Sequence, residues 1–273
     1  MRIAGGLAVV TGAASGIGAH VASEVVRRGG RVVVADRDRA GAEQHAASLA
    51  GAHAAEVDVT DAAACTTLAA DVHALHGPVD LLVANAGLIR PGSTWTTPLS
   101  TWRTVLDVNL LGAVHTLAAF LPDMVERDRP AAVVLTASVA GLTAAPGFAA
   151  YAASKHAVVG LAEGLQVELA EAGADHVRVS VVCPGGVDTA IWRSAGPAAP
   201  GLDEVARRRF AAVGGPRTDQ ADPAAIARLT LDAVEEGRSW VVPIEPHHRE
   251  ALASRAHDLA AAAAADGGLV YGR

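Results

Sequence analysis

The sequence predicts a doubly wound α/β fold, one sheet of seven parallel strands with helices on both faces. Three observations carry this prediction. Short β-branched runs alternate with longer alanine-rich stretches of helical period along the 273 residues, the pattern of repeated βαβ units. The short runs are nearly continuous in valine, leucine and alanine, as strands buried on both faces should be. The first run passes directly into a glycine loop and a helix start, the layout of a phosphate-binding turn. At this length a single α/β domain buries most of its surface, so neither disulfides nor a structural metal is required.

Taken in order, strand Leu7–Thr11 leads into Thr11-Gly12-Ala13-Ala14-Ser15-Gly16-Ile17-Gly18, and the helix Gly16–Arg28 begins inside that motif. The glycines let the backbone turn sharply and approach a pyrophosphate, whose charge then rests on helix N-terminal amides. The spacing is G-x-x-x-G-x-G rather than G-x-G-x-x-G, so its place after the first strand is what favours nucleotide binding. Strand Arg31–Asp36 ends in Asp36, 18 residues beyond Gly18, where a carboxylate accepts hydrogen bonds from ribose hydroxyls and repels a 2′-phosphate. Arg37 and Arg39 follow and offer such a phosphate an alternative, while positions 13 to 15 hold no basic residue. The balance favours NAD over NADP.

Strand His53–Val57 precedes the helix Asp61–His76, and strand Val79–Ala84 precedes Asn85-Ala86-Gly87. The helix Thr101–Arg127 returns to strand Ala132–Ala137, which ends at Ser138; the helix Ala150–Ala172 carries Tyr151 and Lys155. Strand Val177–Cys183 runs into Pro184-Gly185, helix Pro223–Glu236 starts after the capping Asp222, and strand Ser239–Pro243 completes the sheet. The domain spans 1–245. Within it, 194–219 is a glycine- and proline-rich insertion read as a substrate lid. The tail 246–273 shows no strand pattern and only a weak alanine-rich helix over Arg249–Ala265.

Composition removes several functional classes. A net charge of −7 without a basic block argues against nucleic acid and anionic membranes, and Arg207 to Arg209 reads as a solvated helix face. Met1 to Ala22 has the outline of a signal peptide, but its ordered glycines favour a buried strand, loop and helix. Ala131 to Ser154 is 24 residues without a charge, yet Ser138, Gly141, Thr143, Pro146 and Gly147 interrupt it. Cys65 and Cys183 fall in unrelated segments, pointing to a reducing, cytoplasmic setting. His247-His248 and the pair His73 with His76 show no acidic or cysteine partner at ligand spacing, so no metal is expected. The expected partners are small molecules and copies of the chain itself, with no nucleic acid and no membrane.

The most pointed local signal is Tyr151-Ala-Ala-Ser-Lys155. Lys155 is the only lysine beside 21 arginines, and Tyr151 is one of two tyrosines. An ammonium is a compact charge where a guanidinium is wide and forked, so this position wants a point charge. Four residues along a helix place the two side chains on one face, about 5–6 Å apart at Cβ. The phenol reference pKa is near 10, and a neighbouring cation lowers it by favouring the anion, which makes a proton-transfer catalyst.

Thr11 to Gly18, Asp36, Asp58-Val59, Asn85-Ala86-Gly87, Asn109, Ser138, Tyr151 with Lys155, Pro184-Gly185 and Thr189 together resemble the short-chain dehydrogenase/reductase family, single-domain branch, up to about Val242. The resemblance implies a Rossmann fold and hydride transfer between NAD(H) and a secondary alcohol or ketone. It makes Tyr151 the general acid or base, Ser138 the donor to the substrate oxygen, and Lys155 both the tuner of Tyr151 and a partner of the nicotinamide ribose. Asn109 would hold a water linking Lys155 to solvent. Gly12, Ser15, Gly16, Ile17 and Gly18 would hold the pyrophosphate, Asp36 and Arg37 the adenosine ribose end, and Asp58 and Val59 the adenine. Asn85, Ala86 and Gly87 would steady the central strands beside the cofactor. Pro184, Gly185, Val187 and Thr189 would fix the carboxamide.

The substrate is expected to be apolar, with a cyclic alcohol or ketone in view, because large apolar residues gather near Ser138 and Tyr151. Leu142, Phe148 and Trp192 would touch it, with Leu88, Ile89, Trp95 and Phe210 nearby. The helices Thr101–Arg127 and Ala150–Ala172 resemble those through which relatives form dimers and tetramers, and Leu117, Ala118, Leu161, Leu165 and Leu169 are candidates for that face. Two alternatives stay open, a catalytically silent dinucleotide sensor and an NADP-dependent carbonyl reductase. An epimerase or dehydratase would need a larger C-terminal substrate domain than this chain has room for.

Overall fold

A computed structural model describes residues 1–144, 146–189, 191, 204, 208 and 220–265. The expected lid, with Trp192 and Phe210, lies outside the described residues apart from Glu204 and Arg208. The strands are β1 (Leu7–Thr11), β2 (Arg31–Asp36), β3 (Ala52–Glu56), β4 (Leu81–Ala84), β5 (Ala131–Thr136), β6 (Val177–Val182) and β7 (Trp240–Val241). They form one sheet in the order β3-β2-β1-β4-β5-β6-β7, with every described pairing parallel. The chain winds outward from β1 to β3, then crosses back to β4. The crevice at that reversal, outside the C-terminal ends of β1 and β4, is where such sheets bind ligands.

The helices are α1 (Gly16–Arg27), α2 (Arg39–Ala47), α3 (Ala62–His76), α4 (Leu99–Leu106), α5 (Gly112–Glu126), α6 (Ala149–Glu171), α7 (Pro223–Glu236) and α8 (Pro246–Ala265). Successive strand residues point to opposite faces and feed two cores. Val9 of β1 joins Phe120 of α5 and Val158 of α6 on one face; its neighbour Val10 joins Val25 of α1 and Ile226 of α7 on the other. Phe120 is fully enclosed, a burial that contributes about 1.5–3 kcal/mol. Arg28 closes the second layer by bridging α1 to α7, donating to Glu24, Asp232 and Glu235 at 2.7–2.9 Å.

Four features differ from the sequence expectation. Strand β3 lies at the sheet edge with His53, Ala54 and Glu56 exposed, so its alanines reflect an edge and not burial on both faces. Helix α2, capped by Asp38 through Gly41 N–H, was not anticipated because its weakly apolar sequence gives little periodic signal. The expected helix Thr101–Arg127 is one 28-residue helical run from Leu99 to Glu126, interrupted by a π-helical turn over Asp107–Leu111. Such turns widen a helix locally and occur mostly at functional sites. The tail helix begins one turn earlier than expected, at Pro246.

Candidate active site

The cleft at the sheet reversal has a volume of about 940 Å³ and extends from the glycine loop to the start of α8. Its floor is set by close backbone approach. Gly12 has φ +65°, and a Cβ there would lie 2.7 Å from Ala86 Cα, so only glycine fits. Gly18 is buried behind the loop and does not line the cleft; a Cβ there would collide with the Gly12 carbonyl. Asn85 ties β4 to this loop by donating from Nδ2 to the carbonyls of Thr11 at 3.1 Å and Gly12 at 3.2 Å. Ser15, at the α1 N-cap, makes no side-chain capping bond. The first amides of α1 therefore keep donors for an anion, beside Gly16 and Ile17 on the cleft wall.

At the adenosine end, Asp36 accepts from Ala14 N–H at 3.0 Å and Asp38 N–H at 2.9 Å, which fastens the glycine loop and leaves lone pairs toward the cleft. Arg37 lines the cleft, whereas Arg39 turns to Glu43, at 2.8 Å. Asp58 accepts from the backbone and hydroxyl of Thr60 at 2.9 and 2.8 Å, and the Thr60 N–H holds its carboxyl below the usual range. Val59, Gly87, Pro184, Gly185, Val187 and Thr189 line the same cleft. A concave, glycine-floored groove with free helix amides at its centre and a carboxylate at β2 fits a nicotinamide dinucleotide.

At the other end β5 delivers Ser138 and α6 delivers Tyr151 and Lys155. Ser138 Oγ accepts from Ala140 N–H at 3.1 Å, which fixes the short turn Val139–Gly141, and it lies 3.5 Å from the Pro184 carbonyl. Ser138 and Tyr151 line the same end of the cleft. Burial raises the Tyr151 pKa, and the neighbouring Ser138 hydroxyl opposes that rise. Lys155, 3% exposed, donates to the Thr136 carbonyl at 2.7 Å and lies 5.8 Å from the Tyr151 ring centre. Burial brings its pKa down to about 8. Cys183 sits in the same low-dielectric layer, where burial pushes its thiol up to about 12.

Asn109 lies in the π-helical turn, buried, and its side chain is committed. Its Oδ1 accepts from Leu88 N–H at 2.8 Å, while Nδ2 donates to the Leu88 carbonyl at 3.0 Å and to Ser154 Oγ at 2.9 Å. The Ser154 hydroxyl donates in turn to the Tyr151 carbonyl at 2.7 Å. These bonds join Leu88, Asn109, Ser154 and the backbone of Tyr151. Ser154 was missed by sequence reasoning, although it stands within the Tyr-Ala-Ala-Ser-Lys motif itself.

The substrate end is bounded by Ile89, Phe148, Ile191 and Tyr151, which pack together. Leu88 also reaches the cleft, but Leu142 does not: it packs into the core beside Val158 and Val159, and its carbonyl accepts from Arg255 of α8. Trp95 is 80% exposed and stands apart from the cleft, so the expected aromatic lining reduces to Phe148 and Tyr151 among the described residues. The tail contributes His247, His248 and Ala251 to the cleft. Glu245 joins them: its carboxylate accepts from Gly186 N–H at 3.0 Å and lies 2.7 Å from His248 Nδ1. The expectation that these histidines lack an acidic partner is thereby corrected. The signal was Glu245 placed directly before Pro246, the same arrangement as Asp222 before Pro223.

Comparisons with known proteins agree with this geometry. A family model for short chain dehydrogenase matches residues 6–199. The chain is 40% identical over 199 residues to 1-deoxy-11-beta-hydroxypentalenate dehydrogenase of Streptomyces avermitilis, covering 71% of this chain and 73% of that one. It is 42% identical over 168 residues to the inactive 2-(S)-hydroxypropyl-CoM dehydrogenase 2 of Xanthobacter autotrophicus, covering 61% and 71%. The crystal structure of a short-chain dehydrogenase/reductase from Burkholderia phymatum in complex with NAD superposes with a TM-score of 0.88 at 31% identity, over 95% of each chain. The chain is thus a nicotinamide-dependent oxidoreductase acting on secondary CH–OH groups, and it belongs to the short-chain dehydrogenase/reductase family.

Proposed function

We propose that the chain interconverts an apolar, cyclic secondary alcohol and its ketone, with NAD as the preferred dinucleotide and Tyr151 as the proton carrier. The single observation that carries this reading is the convergence of Ser138, Tyr151 and Lys155 on one end of the cleft. The bound nicotinamide ring supplies the hydride acceptor or donor. The chain supplies orientation and the proton. In the oxidative direction the Tyr151 oxygen takes the hydroxyl proton while the Ser138 hydroxyl steadies the negative charge on the substrate oxygen; in reduction Tyr151 returns that proton. Lys155 would hold ribose hydroxyls and bring positive charge to the phenol. Burial alone raises the Tyr151 pKa, so this charge and that of the oxidised ring must pull it down. Asn109 acts by positioning, through Ser154 and the loop at Leu88.

Preference for NAD is supported by Asp36 at the end of β2 and by the engagement of Arg39 with Glu43. An apolar, cyclic substrate is supported by the Ile89, Phe148 and Ile191 wall and by the hydroxypentalenate named for the Streptomyces relative. A homodimer or homotetramer through α5 and α6 is supported by exposed Leu111 and Val167, the latter 58% exposed, and by a long apolar helical run only a third of which is buried. Leu117, Leu165 and Leu169 belong to the chain's own core and are not part of that face. A cytoplasmic setting is supported by two buried, unpaired cysteines. The domain itself comprises 1–245 together with the first turn of α8.

The test is a panel of secondary alcohols and ketones assayed with NAD and with NADP by nicotinamide absorbance. The proposal expects kcat/KM to rise with apolar cyclic bulk and to favour NAD by about two orders of magnitude. Activity that rises with substrate polarity, or that prefers NADP, contradicts it.

A further inference from the structure

We propose that Glu245, His247 and His248 form a binding site for one divalent transition-metal ion at the mouth of the cleft. One ligand atom from each residue lies within 4.8 Å of the other two, the only such group of three among the described residues. The arrangement is held from both sides. Glu245 sits just before α8 and is aimed by the Gly186 amide at 3.0 Å, a supporting bond that leaves the other carboxylate oxygen facing His248 Nδ1 at 2.7 Å. Gly185 makes the approach possible, since a Cβ at that position would collide with the Glu245 carboxylate. The rings of His247 and His248 lie side by side, centroids 4.0 Å apart, so the two imidazoles are directed to one region in spite of being adjacent in sequence.

Two imidazoles and one carboxylate form a donor set for zinc, cobalt, nickel or copper, and a poor one for magnesium or calcium, which favour oxygen. Three protein ligands on zinc leave a fourth position for water or another small donor. A bound ion would brace the first turn of α8, which Glu245 already fastens to the loop after β6 through the Gly186 amide. The site uses none of Ser138, Tyr151 and Lys155, so it stands or falls separately from the proposed chemistry.

The experiment is isothermal titration of the full chain with ZnCl₂, with MgCl₂ as the control, and thermal unfolding in the presence of each. The expected result is one zinc per chain, no magnesium heat, and an unfolding temperature raised by zinc. His247→Ala, a change at an exposed position that leaves the fold intact, should weaken zinc at least tenfold, and Glu245→Gln likewise. In the double variant His247→Ala/His248→Ala the zinc-dependent rise in unfolding temperature should vanish. Zinc binding of undiminished affinity in that double variant would assign the heat to other histidines and overturn the proposal, as would absence of zinc binding by the parent chain.

Discussion

Replacing Lys155 by methionine should stabilise the protein at neutral pH while removing its activity. Burial lowers the Lys155 pKa from its ordinary 10.5 to about 8. Below pH 8 the ammonium is charged in both the folded and the unfolded chain, so the fold carries the whole cost of burying it. Between pH 8 and 10.5 the folded lysine is neutral while the unfolded one still holds its proton, so the lysine's contribution to stability rises with pH. At about 1.4 kcal/mol for each pH unit, the drop corresponds to about 3 kcal/mol. Methionine has similar reach and no charge, but it forfeits the bond to the Thr136 carbonyl, worth about 1 kcal/mol. The net gain at pH 7 is about 2 kcal/mol, or roughly 4–8 °C in unfolding temperature for a chain of this size. The buried thiol of Cys183 acts with the opposite sign, because its raised pKa makes stability fall as the unfolded thiol ionises, and it interacts with Lys155, so the comparison is made in a Cys183→Ala background. Urea unfolding of parent and variant across pH 7 to 11 therefore isolates the lysine. The difference should shrink to zero and reverse slightly above pH 10.5. A variant less stable than the parent at pH 7, or a difference that does not change with pH, would refute the burial argument.

Gly12→Ala forces a side chain into left-handed backbone at a cost of about 1–2 kcal/mol and drives its Cβ toward Ala86 Cα, 2.7 Å away, so NADH affinity in a fluorescence titration should fall about 10- to 100-fold. Unchanged affinity would remove the glycine loop from the cofactor cradle. Lys155→Arg keeps the charge but needs room for a guanidinium where Gly87 and Thr136 already close on the ammonium, an overpacking of about 1–3 kcal/mol, and turnover should fall at least 100-fold; near-normal kcat would undo the case for a compact charge. Cys183, with its thiol pKa pushed up to about 12, should resist iodoacetamide in the folded protein at pH 8 and react only on unfolding, which mass spectrometry can follow.

The sheet was legible because every one of its strands except β3 is a short apolar run bounded by glycine, proline or a polar residue. Boundaries shifted by no more than two residues at either end because strand ends fray into loops that the same residues continue. Helix α2 escaped notice since Arg39 to Ala47 buries only Ala42 and Ala46, too little for an apolar stripe. The cleft was legible where backbone geometry dictates residue type, as at Gly12, or where chemistry does, as at Tyr151 and Lys155. It was illegible where long-range packing decides. Leu142 and Phe148 are both large apolar residues in one loop, and only the fold determines that one enters the core and the other the cleft. Asn109 was found, but its partners Leu88 and Ser154 are 21 and 45 residues away, and the π-helical turn that aims it leaves no periodic mark. The contribution of Glu245 and His248 was hidden for the same reason: their meeting with Gly186 spans about sixty residues and depends on β7 lying beside β6.

The central claim is that Tyr151 moves the proton in a cleft that binds the dinucleotide without it. The most direct measurement is Tyr151→Phe, assayed for NADH binding by fluorescence and for single-turnover oxidation or reduction of the best substrate from the panel. Phenylalanine preserves the packing against Ile89 and Phe148 and deletes only the hydroxyl. NADH affinity within about twofold of the parent, with the hydride-transfer rate down at least 100-fold, is the predicted result, since general acid–base catalysis contributes about 10²–10⁴ in rate. A variant that binds NADH normally and still turns over at a rate close to the parent's would contradict the account.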